Sequence, residues 1–264
     1  FEGIPASDPT GKYGGTNKDH NAGTIKYISI RFGGSNIGEG NEINGLTLAG
    51  CGSKTTVEHV EVVSNQDDGI ECFGGNVDVT NAVVWNQGDD AYDMDQAYTG
   101  TIDNFIAIKG SESDHGLELD GPEGSSKGAY TLQNGIIRGY NENGKNGAEY
   151  ADLRDDAACN LKNIYFFNHS QSSTFEFNDE ATAQNYLNGS GANAVNITKL
   201  EINVSHLNSG NTTIDQIFQV DKASTKAFDQ QSPDASIVSS PSVGANKSPL
   251  SWTWAATSDA WKDL

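Results

Sequence analysis

The chain has 264 residues, with 36 acidic against 16 basic side chains, a formal net charge of −20 and a pI near 4.4. So acidic a surface excludes nucleic acid and anionic lipid as natural partners, since both would be repelled. No apolar run approaches the ~20 residues of a membrane-spanning helix, so membrane insertion through such a helix is not expected.

Residues 1–24 are polar and glycine-rich, without a period. The chain opens on Phe1-Glu-Gly-Ile-Pro, with no Met and no visible signal peptide, and reads as a mature or shortened fragment. A β pattern then begins and keeps returning: Ile25–Ile30, Val57–Val62, Val79–Val84, Ile102–Ala107, Leu132–Ile137, Leu161–Phe166 and a seventh run, Ile197–Ile202. The first six runs are each followed by a second short strand: Gly45–Leu48, Gly69–Cys72, Ala91–Met94, Gly116–Leu119, less clearly Gly147–Tyr150, and Thr174–Phe177. Strand residues alternate between faces. Leu46, Ile70, Tyr92, Leu117 and Phe175 therefore form one inward stack, and Leu48, Cys72, Met94, Leu119 and Phe177 a second. Thr47, Glu71, Asp93, Glu118 and Glu176 face outward, one per rung.

Short strands that recur with each coil and pair with their own copies describe an all-β solenoid, a parallel β-helix. Parallel crossovers are overwhelmingly right-handed, so the expected hand is right. Residues 25–177 form the coils. Residues 178–264 hold the last coil or coils, a short helix within 213–228 (Ile214, Ile217, Phe218 and Val220 on its apolar side) and a less regular C-terminal cap. Ser248–Trp254 and Trp261 belong to that capping tail. Cys51, Cys72 and Cys159 have no metal-ligand spacing. Cys72 reads as a small buried residue, with a Cys51–Cys72 disulfide as the alternative.

The acids are the functional signal. Three related phrases recur: Asn65-Gln-Asp-Asp-Gly-Ile-Glu71, Gln87-Gly-Asp-Asp-Ala-Tyr-Asp93 and Glu112-Ser-Asp-His-Gly-Leu-Glu118. Between Asp67 and Asp120 there are thirteen acids and one lysine, Lys109. Like charges stacked ~4.8 Å apart repel by roughly 3 kcal/mol at an effective dielectric near 20. Cations, protonation or spread into solvent could offset this. Calcium accepts carboxylates, amide and backbone oxygens in loose geometry. Its expected ligands are Asp67, Asp68, Glu71, Asp89, Asp90, Asp93, Asp95, Asp114, Glu118 and Asp120. The alternative is a solvated acidic face. His20, His59, His169 and His206 read as surface or turn groups. Tyr98, Tyr140, Tyr150 and Tyr165 read as core or edge packing, with a sugar-stacking platform as the alternative.

Two resemblances follow from these phrases. Gln66-Asp67-Asp68-Gly69, Gly88-Asp89-Asp90 and Asp114-His115-Gly116 resemble the polygalacturonase family of right-handed β-helix hydrolases. That resemblance implies Asp68, Asp89 and Asp90 as acid and base, with His115 assisting. The family's Arg-Ile-Lys clamp has no counterpart, since Arg138 is followed by Gly139-Tyr140. Glu2-Gly-Ile-Pro-Ala-Ser-Asp-Pro9, Tyr13-Gly-Gly15, Tyr27-Ile-Ser-Ile-Arg31, Gly40–Leu48 and Asp67-Asp-Gly-Ile-Glu71 are similar to a family of large secreted or surface β-helix proteins of Bacteroidetes. This second resemblance implies an extracellular or outer-surface location and a lipoprotein or type IX secretion route. The expected function is a calcium-stabilised surface module for adhesion or glycan binding; the alternatives are a polysaccharide-cleaving enzyme of polygalacturonase or pectate-lyase type and a structural spacer that self-associates through its end coils. The expected partners are glycans or other cell-surface material.

Overall fold

The computed structural model describes residue 4 and residues 7–35, 43–123, 125–141, 149–218 and 225–264. Two parallel sheets carry the chain. The long-strand sheet contains β1 (Thr24–Arg31), β3 (Thr56–Val63), β5 (Val79–Trp85), β7 (Thr101–Ile108), β9 (Tyr130–Arg138), β11 (Cys159–Phe167), β13 (Asn196–Asn203) and β14 (Ala235–Ile237), side by side in that order. The short-strand sheet contains β2 (Leu46–Ala49), β4 (Ile70–Phe73), β6 (Tyr92–Asp95), β8 (Leu117–Asp120), β10 (Ala151–Arg154) and β12 (Phe175–Phe177), also in chain order. Among the described residues the strand pairings are parallel, each between a strand and its copy in the next coil. This is the expected all-β parallel β-helix.

The two inward stacks fill the core. Ile70, Tyr92, Leu117 and Phe175 are fully buried, as are Cys72, Met94, Leu119 and Phe177. The fifth rung differs from the expected Gly147–Tyr150, of which residues 147 and 148 lie outside the described residues. Its strand is β10, where Ala151 and Leu153 complete the stacks and Asp152 and Arg154 point the other way. All three cysteines are free, and Cys72 and Cys159 are buried.

The long strands depart from simple alternation. Their inward residues step by three and then two: Val57, Val60, Val62; Val79, Ala82, Val84; Leu161, Ile164, Phe166. The cause is one left-handed residue inside each strand: Tyr27, His59, Asn81, Asn104, Asn134, Asn163 and Lys199 all have φ between 53° and 61°. Asn tolerates this region better than most residues. Stacking brings its amides together, so Asn104 Nδ2 donates to Asn81 Oδ1 at 2.6 Å and Asn163 Nδ2 to Asn134 Oδ1 at 3.1 Å.

The far end of the core is closed by three helices, α1 (Glu180–Asn188), α2 (Ile214–Ile217) and α3 (Ala227–Gln230). Phe218 stacks on Phe175 at 4.7 Å and Phe228 on Phe177 at 4.3 Å. Helix α1, capped by Asp179, was not expected from the sequence. Of the expected helix within 213–228, Ile214 and Ile217 lie in α2 and Phe218 caps it, while Val220 lies outside the described residues.

Ser248–Trp254 and Trp261 do not join that cap. Residues 238–264 run back along the outer face of the long-strand sheet. The reason is a stripe of outward apolar residues, Val83, Ile106, Ile136 and Tyr165, which would otherwise be exposed. The same outward column carries Glu61 at one end and Glu201 at the other. Glu201 accepts from the Ser242 amide at 2.6 Å, and Glu61 from the Ala255 amide at 2.8 Å. Trp254 lies under the Arg31 guanidinium at 4.5 Å and meets Trp85 edge-on at 5.4 Å. All four tryptophans, Trp85, Trp252, Trp254 and Trp261, belong to this contact or its border. Replacing the fully buried Glu61 by Ala strands the Ala255 amide, and is expected to destabilise the chain by about 2–4 kcal/mol. Tryptophan emission should shift to the red and become more open to acrylamide, with the β signal in circular dichroism retained. Unchanged quenching would show that the tail docks without Glu61.

Candidate functional site

The site is built where each coil turns into its short strand. Asn65 Nδ2 donates to the carbonyls of Asp68 and Ile43, each at 2.9 Å, and so fixes the first turn. The glycine that follows has a packing reason. A Cβ on Gly69 would lie 2.3 Å from Val84 Cγ1 and 2.6 Å from the Ala91 carbonyl; on Gly45, 2.4 Å from Val62 Cγ1. Neither residue has positive φ, so what demands glycine is the close approach of the two sheets and not a special backbone conformation.

The aspartates of these turns link successive coils. The Asp90 amide donates to Asp68 Oδ1 at 3.0 Å. The His115 amide donates to Asp90 Oδ1, and the His115 ring Nδ1 lies 2.9 Å from the same oxygen. Asp68, Asp90 and His115 are thus joined in one chain and buried. Asp89 and Asp114 are exposed beside them.

Beyond the turns runs the acid column, in register as Thr47, Glu71, Asp93, Glu118, Asp152 and Glu176. It points away from the core, as expected, but most of it is not solvated: Glu71 is 2 % exposed, Asp93 9 %, Asp152 3 % and Glu176 5 %. Polar neighbours account for part of this. Asn44 Nδ2 donates to Glu71, Thr174 Oγ1 to Glu176 at 2.8 Å and Asn178 Nδ2 to Asp152 at 2.6 Å. Arg154, in register with Asp120, pairs with Glu118 and lies 2.8 Å from Asp120 and 3.7 Å from Asp152. The protein's own cation therefore neutralises one end of the ladder. Arg154, Asp152, Asn44 and Glu149 were not singled out from the sequence. For Arg154 and Asp152, the alternation in Ala-Asp-Leu-Arg was the signal.

Four groups bring carboxylate or imidazole ligand atoms within 4.8 Å of one another among the described residues: Asp67, Asp68 and Asp89; Asp68, Glu71 and Asp93; Asp90, His115 and Glu118; Asp114, His115 and Glu149. Asp95 and Asp120, expected as further ligands, join none of them. Asp95 accepts from the Gln96 amide, and Asp120 is held by Arg154.

Charge state separates these groups. Burial works to lower the His115 pKa, but hydrogen bonds to Asp90 and Glu149 and the charges of Asp90 and Asp114 outweigh it and lift it to about 10. His115 is then a cation at neutral pH, which suits a bridge between acids and not a metal ligand. Burial lowers Lys109 to about 8, against the pull of Asp90, Asp114 and Glu149; its Nζ reaches the Glu149 carbonyl at 3.4 Å. Asp68 is pushed well up by burial, then by Asp90, Glu71 and Asp67. Asp93 is pushed well up by burial, then by Asp68 and Glu71. Asp89 rises to about 6 and Asp120 to about 8, burial leading in both.

The Asp68, Glu71 and Asp93 group has a shortage of donors. Among the described residues, Asp93 Oδ1 is buried with no hydrogen-bond partner, and so is Asn44 Oδ1, on the side chain that donates to Glu71. Unpaired buried acceptors call for a proton or a cation. Three carboxylates and an amide oxygen are the donor set that calcium takes.

The remaining candidates are structural. Tyr98 and Tyr150 are fully buried, Tyr98 donating to the Val77 carbonyl at 2.6 Å, and Tyr165 lies under the tail. His169 departs from the expected surface position: it is buried against the Tyr150 ring at 4.0 Å, and burial pushes its pKa well down.

Against known proteins, a family described as a pectate-lyase like beta helix domain matches residues 6–256. No curated protein and no solved structure matches the chain.

The raised acids fix the sign of a pH effect. Asp89, Asp120, Asp68 and Asp93 keep protons in the fold that unfolded carboxylates release near 4, so the native chain binds more protons and stability falls as pH rises through the folded values. His115 adds to this loss as pH rises toward about 10, while Lys109 opposes it above about 8. In chelator, the melting temperature should be roughly 5–10 °C higher at pH 5 than at pH 8. A flat or rising profile would contradict these charge states.

Proposed function

The chain belongs to the pectate-lyase-like β-helix domain family, and from that premise we propose that it is an extracellular, carbohydrate-directed surface module whose acid face holds a divalent cation. Calcium is the ion of choice, with Asp68, Glu71 and Asp93 as ligands and the Asn44 amide oxygen beside them. The observation that carries this reading is Asp93 Oδ1, buried within a cluster of three acids and unpartnered among the described residues, with Asn44 Oδ1 likewise unpartnered on the side chain that donates to Glu71. A bound cation would relieve the repulsion along the column and join two successive coils, one supplying Asp68 and Glu71 and the next Asp93. Exposed Asp89 and Asp114, beside this cluster, leave room for an ion shared with an acidic or hydroxyl-rich glycan. Surface attachment through such contacts is the role we assign.

Calcium at a hundredfold excess over Kd is expected to stabilise the chain by about 2.7 kcal/mol, a rise of roughly 5–10 °C in melting temperature. Asp93→Asn should raise the melting temperature in chelator above pH 7, because it removes a carboxyl whose ionisation is opposed by burial, Asp68 and Glu71, and should abolish the calcium increment. Retention on polygalacturonate should depend on calcium. If neither calcium nor the Asp93→Asn change moves the melt, the acid face is held by protons and the cation reading fails.

A second reading, polysaccharide cleavage, rests on one observation. Buried Asp68 and its neighbour Asp89 both have raised pKa values, Asp89 to about 6, within reach of proton exchange near neutral pH. Their nearest oxygens lie within 4.8 Å, closer than the ~6.5–9.5 Å that an inverting hydrolase keeps for its water. Asp90, the third residue of the polygalacturonase resemblance, has one oxygen committed to His115. Turnover of pectin or alginate, followed as reducing ends and unsaturated products, should be lost in Asp89→Asn with the melt unchanged. An Asp89→Asn variant as active as the parent would end this reading.

A further inference from the structure

The acid face is not the molecule's one concave surface. A groove of about 720 Å³ lies between the N-terminal segment and the turns that leave the short-strand sheet. Its volume falls in the range of small-molecule sites. Among the described residues no Asp or Glu lines it, although the chain carries 36 of them. None of the proposed cation ligands lines it either. Its walls are largely backbone, amides and hydroxyls, with Asn17, Asn76 and Gln96 as the amide side chains. Lys18 and Lys127 also border it; both are exposed, and Lys127 is already paired with Asp156.

One aromatic ring in this groove is held in place. Tyr13 donates its hydroxyl to Gln96 Oε1, and Phe73 backs its ring at a centroid distance of 6.2 Å. Phe73 is buried, while Tyr13 stays half-exposed. The ring is thus fixed before any ligand arrives, which lowers the entropy lost on stacking.

The residue that fixes it sits in a strained conformation. Gly50, Gly74 and Gln96 follow the aligned strand ends Ala49, Phe73 and Asp95. All three are left-handed, with φ of 59°, 63° and 52°. The first two coils meet this with glycine and the third with glutamine, and Ala97 beside it is left-handed too, at 59°. A side chain kept where glycine is favoured marks a position whose side chain is used. Here its oxygen receives Tyr13.

We infer that this groove binds an uncharged oligosaccharide, with the Tyr13 ring against one sugar face and the Asn17, Asn76 and Gln96 amides on its hydroxyls. Amides and backbone groups offer both donors and acceptors, as sugar hydroxyls require. Asp95, Glu123 and Glu71 lie close enough behind Tyr13 to push its phenol up, after burial, so a carboxylated sugar would meet negative potential there. A neutral sugar would not.

The test uses the full chain in chelator, which silences any cation site. Cello-, xylo-, manno- and galacto-oligosaccharides are titrated by calorimetry at low and high salt. At least one should bind, with a Kd unchanged within twofold between the two salt concentrations. Tyr13→Ala should weaken it tenfold or more. Ser126→Trp, at an exposed wall position, should block it without touching the core. The inference is overturned if no neutral oligosaccharide binds, if binding needs calcium, or if folded Ser126→Trp and Tyr13→Ala both bind like the parent. Failure here leaves the calcium-dependent melt, and with it the cation reading, untouched.

Discussion

In-register parallel pairing is the constraint from which the rest of this molecule follows. It sets each side chain about 4.8 Å from its counterpart in the next coil, so every column must tolerate its own repetition. Apolar columns do so by burial, and Ile70, Tyr92, Leu117 and Phe175 make a continuous core. The asparagine column does so because an amide both donates and accepts, as Asn104 does toward Asn81. The acid column has no such complementarity. It survives through residues that break the repetition: Arg154 between Glu118, Asp120 and Asp152, and His115 among Asp90, Glu118 and Glu149. Where no such residue stands, at Asp68, Glu71 and Asp93, the carboxylates lie within 4.8 Å of one another, and burial and mutual repulsion push the pKa values of Asp68 and Asp93 well up.

How far this could be read from sequence depends on how local each feature is. The strands and the two inward stacks were legible because alternation within four residues decides them. The break in the long strands left a signal as well, the three-then-two spacing of Val57, Val60 and Val62. That spacing reads as irregular alternation until the left-handed residue is known. The fifth rung was ambiguous because Gly147–Tyr150 and Ala151–Arg154 both place a small residue before an acid. Burial of the acid column was not legible at all, since it depends on contacts between coils, such as Asn44 to Glu71 and Arg154 to Glu118, that no single strand's alternation shows. Nor was the docking of the tail, whose apolar residues could equally have closed an end. The Tyr13–Gln96 contact joins residues 83 positions apart, and nothing local marks either partner except the missing glycine at Gln96.

The Asp-Gly phrases show why a motif needs its geometry. Asp68 and Asp90 each accept the amide of a residue in the following coil, and Gly69 is glycine because Val84 and Ala91 leave no room for a side chain. These demands would hold in any β-helix with sheets this close. The likeness to a hydrolase signature therefore has a sufficient structural cause, independent of catalysis. Chemistry, where it occurs, falls to the residues the fold does not consume, namely exposed Asp89 and Asp114.

A stack of coils ordinarily behaves as a one-dimensional array, in which each repeat knows its neighbours and unfolding can begin at either end and stop part-way. The returning tail changes that. Glu61 and Ala255 are 194 positions apart in sequence, yet they are joined by a hydrogen bond. The stripe made of Val83, Ile106, Ile136 and Tyr165 is covered by one continuous segment that spans several rungs. A coil cannot peel from the N-terminal end without losing this cover, so the array is tied into a single cooperative unit. The same tie delays completion of the fold. Until residues 238–264 are made, the early coils expose an apolar stripe along a parallel sheet, the kind of surface that invites association during synthesis.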